Sequence, residues 1–95
     1  MHDFHVADLI YRAILKEAEN HELQKVTKAI IELGSIIEHG ETVQPENLEF
    51  NIKMLAEGDI ASGLEISIVE SSGNDWVLKE IEGDWYYRIK KPVYV

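Results

Sequence analysis

The chain has 95 residues, no cysteine and a formal net charge of −9 at pH 7. This length allows one small domain with one modest core, and the lack of cysteine excludes disulfides, thiol catalysis and cysteine-ligated metal sites. The excess of acidic over basic residues argues against binding to nucleic acid or anionic membranes, because too few cations are present to neutralise phosphates. With no basic-apolar leader and no apolar run that could span a bilayer, a cytoplasmic location is expected.

The first three residues, Met1-His2-Asp3, form a candidate metal site. His2 lies one peptide bond from the free α-amino group, so amine, amide and imidazole nitrogens can close fused chelate rings around one ion. Such nitrogen-rich tetragonal sites suit Ni(II) or Cu(II). Amine and imidazole must both lose a proton to bind, so affinity should fall in acid. The alternative is that His2 is incidental, because any protein can carry histidine at this position.

Two neighbouring residues extend this hypothesis. Asp3 either supplies an oxygen or amide ligand or caps the helix that follows. His5 is three residues from His2, so a helical turn would bring both to one side, where His5 is either a fourth ligand or a surface histidine. His21 and His39 are expected to be solvated.

Hydrophobic periodicity predicts the first half of the fold. Apolar residues at three- and four-residue steps favour a helix over Phe4 to Asn20, and alternation favours a strand over Lys25 to Leu33. Residues 35–43 are expected to form a loop or a strand extension. Pro45 suits the first turn of a second helix, where its missing N–H costs nothing.

The second helix is predicted to bury Leu48, Ile52 and Leu55, to leave Phe50 and Met54 as a second apolar edge, and to end before Gly58 in a left-handed conformation. Alternation then predicts a strand at Leu64 to Ile68.

The C-terminal part predicts a β-hairpin. Its strands are expected at Trp76 to Ile81 and Trp85 to Lys91, with a short turn at Glu82-Gly83-Asp84. The aromatic residues Trp76, Trp85, Tyr86, Tyr87 and Tyr94 are expected to pack across these strands. The order helix, strand, helix, strand, hairpin predicts an α+β fold with two helices on one face of a small mixed or antiparallel sheet.

Three stretches of the chain resemble the HypA family of hydrogenase and urease nickel-incorporation proteins. They are Met1-His2-Asp3, where the family has Met-His-Glu; 25–34, similar to its first strand; and 43–58, similar to its Val-x-Pro-Glu-x-Leu-x-Phe helix and closing Leu-x-x-Gly. Residues 63–66 are similar to the strand behind that helix. The resemblance implies a labile Ni(II) ion held by Met1, His2, Asp3 and His5, and a nickel-enzyme precursor or a maturation GTPase as partner.

One departure from the family concerns zinc. The family inserts a zinc-ribbon domain with two Cys-x-x-Cys pairs between its last strands, whereas this chain has no cysteine. We therefore expect a single domain over 1–95, without structural zinc, in which residues 71–91 form a hairpin in place of the zinc domain.

Two functional interpretations follow. The first is a metallochaperone that holds nickel for an apo-enzyme; the second is a metal-free interaction module that has lost the zinc domain. The chain shows no phosphate loop, nucleophile elbow or His-Glu-x-x-His helix, so no enzyme is expected. Ile30 and Val69 fall on the sheet face that the helices leave open, and we expect this face, the edge strand or the hairpin to mediate a homodimer.

Overall fold

The structure is a computed structural model that describes residues 4–38, 40–85 and 90–95, without the side chains of Phe4, Lys90 and Lys91. The helices of this part of the chain are α1 (Phe4–Asn20) and α2 (Pro45–Ala56). Its strands are β1 (Lys25–Leu33), β2 (Ile37–Glu38), β3 (Glu41–Thr42), β4 (Glu65–Glu70), β5 (Trp76–Asp84) and β6 (Lys90–Tyr94). The predicted bounds of the first helix and the first strand are confirmed, and residues 35–43 hold a two-strand hairpin.

Four strands form one mixed sheet in the order β4-β1-β5-β6. β1 runs parallel to β4 and antiparallel to β5, and β5 runs antiparallel to β6. A parallel neighbour requires a crossover connection, which α2 supplies between β1 and β4. The predicted α+β fold with two helices and a mixed sheet is therefore confirmed.

Both helices pack on one face of this sheet and close a single core. α1 faces β1 and β5, and α2 faces α1 and β4. The buried helix residues are Val6, Ala7, Ile10, Tyr11, Ile14 and Ala18 from α1, and Leu48, Ile52 and Ala56 from α2. The buried stripe of α2 thus ends on Ala56, whereas the predicted Leu55 is only partly buried. Gly58 has a φ of +79°, which confirms the predicted left-handed residue after the helix.

The predicted turn at Glu82-Gly83-Asp84 is wrong. β5 continues through all three residues to Asp84, and Gly83 lies opposite Val26 of β1. The connection to β6 falls within 85–89, of which 86–89 lie outside the described residues. Gly83 allows a close approach of two backbone segments, because a Cβ at position 83 would collide with the carbonyl oxygen of Lys25. Glycine inside a strand often marks such a close backbone approach.

The other face of the sheet carries the side chains predicted for it. In the register of β1 and β4, Lys28 lies opposite Glu65, Ile30 opposite Ser67 and Glu32 opposite Val69. Val69 is exposed and Ile30 is half-buried. In the described part of the chain, no helix is long and apolar enough to cross a membrane.

Candidate metal site

Of the predicted nickel ligands, three precede α1 in the sequence and the fourth, His5, belongs to its first turn. Met1, His2 and Asp3 fall outside the described residues, so the structure begins one residue after them, at Phe4. His5, in the first turn of α1, is exposed to solvent. Of the predicted ligand set, the structure therefore places His5 alone.

The elements around this helix terminus form one end of the molecule, here called the N-terminal end. A short turn reverses the chain between α1 and β1, and α2 leads back along the sheet to β4. The carboxyl ends of β1 and β4 and the amino ends of both helices consequently lie at this end. An open cleft of about 390 Å³ separates the last residues of β1 and β4 from Gln44 and Pro45 at the start of α2.

The hairpin of β2 and β3 also belongs to the N-terminal end. Its Glu38 has a carboxylate oxygen, Oε2, that is shielded from solvent without a hydrogen-bond partner among the described residues. Leaving a buried polar atom unpaired costs free energy. His39, between Glu38 and Gly40, lies outside the described residues.

His21 lies at the other end of α1 from His5. The rise of 1.5 Å per residue in an α-helix separates the two by roughly 24 Å along the axis, so they cannot share one ion. The Nε2 of His21 lies 3.6 Å from the Glu17 carboxylate. Across the described residues, no group of three or more His, Asp and Glu side chains is placed to hold a metal ion.

The opposite end of the molecule is formed by residues 21–27, 57–64 and 82–85, and hydrogen bonds join these segments to one another and to Tyr11 of α1. The Tyr11 hydroxyl donates to Oδ2 of Asp59 at 2.8 Å. The Trp85 indole N–H donates to the His21 carbonyl at 2.9 Å, and the Thr27 hydroxyl donates to the Glu82 carbonyl at 3.1 Å. The first bond joins α1 to the loop after α2, the second joins Trp85 to the residue after α1, and the third joins β1 to β5.

Tyr11 and Asp59 perturb each other electrostatically. Burial and the hydrogen bond to Asp59 raise the pKa of the Tyr11 phenol above its ordinary value. The Ile60 N–H donates to Oδ1 of Asp59 at 2.8 Å, and this bond, together with the Tyr11 hydroxyl, lowers the pKa of Asp59. The pair joins buried Tyr11 to an exposed loop, so we interpret it as structural.

Sequence reasoning did not predict the contact of Tyr11 with Asp59, because no local pattern links positions 48 apart. The aromatic residues are also arranged differently from the prediction. Trp76 and Trp85 pack against the core and Tyr94 is exposed, while Tyr86 and Tyr87 lie outside the described residues. Tyr94 lies opposite Glu80 and Trp76 opposite Leu33, so no aromatic residue faces another in the described registers.

The fold defines a small α+β domain in which His5, the one candidate ligand among the described residues, lies in the first turn of α1. The sequence profile of the family described as "Hydrogenase/urease nickel incorporation, metallochaperone, hypA" matches residues 1–76. The chain therefore belongs to the HypA family.

Individual relatives are similar over much of the chain. The hydrogenase maturation factor HypA of Thermococcus onnurineus is 31% identical over 102 aligned positions, which cover 99% of this chain and 70% of the relative. The HypA of Legionella pneumophila is 32% identical over 73 positions, covering 77% of this chain and 61% of the relative. The solution structure of the Ni metallochaperone HypA from Helicobacter pylori superposes with a TM-score of 0.65 at 10% identity, covering 85% of this chain and 96% of that one. At this identity the likeness supports the fold alone.

Proposed function

We propose that this protein is a nickel metallochaperone that assists the maturation of a hydrogenase-type metallocentre. The observation that carries the proposal is the Met1-His2-Asp3 start in a chain that the HypA family profile matches from its first residue. The names of the relatives, which are hydrogenase maturation factors and a Ni metallochaperone, support the same function.

The proposed ligands are the Met1 α-amine, the His2 imidazole, the backbone or carboxylate of Asp3, and His5. Nitrogen ligands in a tetragonal arrangement suit Ni(II). His5 is exposed at the start of α1, so it is free to approach an ion held by the residues before it. We propose that this site holds its ion loosely, since transfer to a recipient requires release.

Isothermal titration of untagged protein with NiCl₂ tests the site. We expect one Ni(II) per chain, with affinity falling as the pH drops below about 8, where first the α-amine and then the imidazole takes up a proton. His2→Ala, or one residue added before Met1, should abolish this binding, whereas His21→Ala should leave it unchanged. If the His2→Ala variant bound Ni(II) like the wild-type protein, the proposed terminal site would be wrong.

A second candidate function is the metal-free interaction module. The observation that favours it is the lack of cysteine, since the zinc module of the family has no ligands here. We propose that residues 71–91 replace that module and that the purified protein carries no stoichiometric zinc. Elemental analysis of the purified protein tests whether zinc is absent. If the wild-type protein failed to bind nickel, the metal-free interaction module would be favoured.

For both candidate functions we propose a cytoplasmic, non-enzymatic protein that engages a nickel-enzyme precursor or a maturation GTPase.

We further propose that the open face of the sheet forms a homodimer. Val69 of β4 and Val77 of β5 are exposed on either side of β1, where both lie opposite Glu32. The charges on this face are partly compensated, because Lys28 Nζ lies 3.9 Å from Glu65 and Lys79 Nζ lies 3.9 Å from Glu32. An apolar patch with balanced charges is suited to self-association.

Sedimentation equilibrium at micromolar concentration tests the dimer. We expect a dimer mass for wild type and a monomer mass for Ile30→Lys, which puts a charge in the centre of the face. Ile37→Lys, on the β2–β3 hairpin, is the control and should remain dimeric. A monomeric wild type would refute the dimer, and a dimeric Ile30→Lys variant would move the interface to the edge strand or the hairpin of β5 and β6.

A further inference from the structure

The outer side of α2 carries a cleft lined in part by apolar side chains that are not part of the buried core. Phe50 is 63% exposed and Met54 is 46% exposed, and their four-residue spacing puts them on one side of the helix. Together with Gly63 and Leu64 they line an open cleft of about 500 Å³ between α2 and the start of β4, and Lys53 and Glu57 also contribute to its lining. This surface, the α2 cleft, lies on a helix separate from the one that carries the proposed nickel ligands.

The exposure of these two side chains is not explained by packing within the chain. The buried stripe of α2 is already complete, because Leu48, Ile52 and Ala56 are each fully buried. Single exposed apolar residues are common on protein surfaces. An aromatic residue and a methionine that share a concavity are less common, and such concave apolar patches mark interaction sites. Aromatic side chains contribute strongly at interfaces, and methionine adapts to irregular partner surfaces.

Charge around the α2 cleft indicates what kind of partner fits. Lys53 is paired with Glu49, with Nζ 3.0 Å from the carboxylate, so its charge is compensated. Glu57, which lines the cleft, and Glu46, one turn before Phe50 on the same side of α2, are exposed without a salt bridge among the described residues. The side of α2 that carries the cleft therefore holds two uncompensated negative charges, and the whole chain carries a net charge of −9. A second copy would bring the same negative charges, and like charges brought together across an interface are unfavourable.

We propose that the α2 cleft docks a segment of another protein that presents one or two large apolar side chains flanked by Lys or Arg. The apolar side chains fill the space over Phe50, Met54 and Gly63, and the cations face Glu46 and Glu57. The same charge complementarity speeds encounter with a basic partner and disfavours acidic ones. The proposal does not depend on nickel binding, because it uses none of the proposed ligands.

A synthetic probe tests the proposal directly. The probe is a fluorescein-labelled 12-residue peptide with two leucines four positions apart and lysine at the flanking positions. Its matched control carries glutamate at each lysine position. Anisotropy titrations at 0.15 M salt, where long-range attraction is largely screened, should show saturable binding of the lysine peptide. Phe50→Ser and Met54→Ser should each weaken this binding by about tenfold or more.

Ile37→Ser is the matched protein control, because Ile37 is also an exposed apolar residue, at 70%, but lies on the β2–β3 hairpin. It should bind the lysine peptide like wild type. Circular dichroism should show unchanged folding in all three variants, since each replaced side chain faces solvent. As a readout that needs no substitution, the lysine peptide should shift the amide NMR signals of Ser62 and Gly63.

The opposite results would overturn the proposal. Equal binding by wild type and Phe50→Ser would mean that the peptide is held by net charge alone. Equal binding of the glutamate peptide would exclude a basic partner. Sedimentation that shows a dimer dissociated by Phe50→Ser would make a second copy the occupant of the cleft. If the protein bound no nickel but bound the peptides as expected, the proposed nickel function would be wrong. The α2 cleft would still be a docking site.

Discussion

The two ends of this molecule are held together in different ways. At the opposite end, three side-chain hydrogen bonds join residues 48, 55 and 64 positions apart. At the N-terminal end, side-chain hydrogen bonds among the described residues reach no more than two positions along the chain. Distant segments meet there through backbone groups, such as the Ser71 N–H and the Leu33 carbonyl at 2.9 Å. Substitutions that break the long-range hydrogen bonds of the opposite end should therefore lower stability, and substitutions of the proposed ligands at the N-terminal end should alter nickel binding.

The largest expected effect tests the tight packing of the opposite end. A methyl group at Gly83 would collide with the Lys25 carbonyl, which is backbone and cannot move aside without shifting β1. Gly83→Ala should lower the free energy of unfolding by about 3 kcal/mol, measured by urea denaturation. Gly73→Ala, at the N-terminal end, is the control, because its added Cβ would meet only the Ser71 Oγ at 3.6 Å. Equal stability of Gly83→Ala and wild type would contradict the close approach of β1 and β5.

A smaller effect is expected from the contact between Tyr11 and Asp59. Tyr11→Phe removes the hydroxyl that donates to Asp59 and should cost about 1 kcal/mol of unfolding free energy near neutral pH. Tyr94→Phe makes the same chemical change on an exposed residue and should leave the urea midpoint unchanged. If both variants unfold like wild type, this bond does not stabilise the opposite end.

The same variant has a predicted pH dependence. The lowered pKa of Asp59 gives stability above the ordinary aspartate pKa, near 3.9, that is lost as pH falls through the folded value. The raised pKa of Tyr11 gives stability below the ordinary tyrosine pKa, about 10, that is lost as pH rises towards the folded value. The difference in urea midpoint between wild type and Tyr11→Phe should consequently be largest between these limits and decrease outside them. A difference that is constant from pH 3 to 11 would argue against both shifts.

The smallest expected effect is the change in unfolding free energy that nickel causes by binding at the N-terminal end. A ligand that binds only the folded state stabilises it by about 2.7 kcal/mol at a hundred times its dissociation constant. Ligands drawn from residues 1–5 are adjacent in the chain and remain available after unfolding. Saturating NiCl₂ should therefore raise the unfolding free energy by well under about 1 kcal/mol, measured by urea denaturation with and without metal. An increase of about 2.7 kcal/mol in the unfolding free energy would mean that a residue distant in the chain also binds the ion.

Much of the fold could be predicted from local pattern. The apolar spacing of α1, the alternation of β1, and the proline and glycine that flank α2 are each encoded within a few residues, so their bounds or ends were predicted correctly. The turn at Gly83 was predicted wrongly because glycine favours both turns and close backbone contacts. The two uses differ only in what lies opposite, and the Lys25 carbonyl is 58 positions away in the chain.

The sequence by itself determined the chemistry available at the candidate site: a histidine at position 2, no cysteine, and an excess of negative charge. Tertiary structure alone decided which distant residues meet. It paired Tyr11 with Asp59, ended the buried stripe of α2 on Ala56, and left Phe50 and Met54 facing a cleft. The physical reason is that ligand type and helical periodicity depend on near neighbours, whereas burial and hydrogen-bond partners depend on how helices and strands from separate parts of the chain pack.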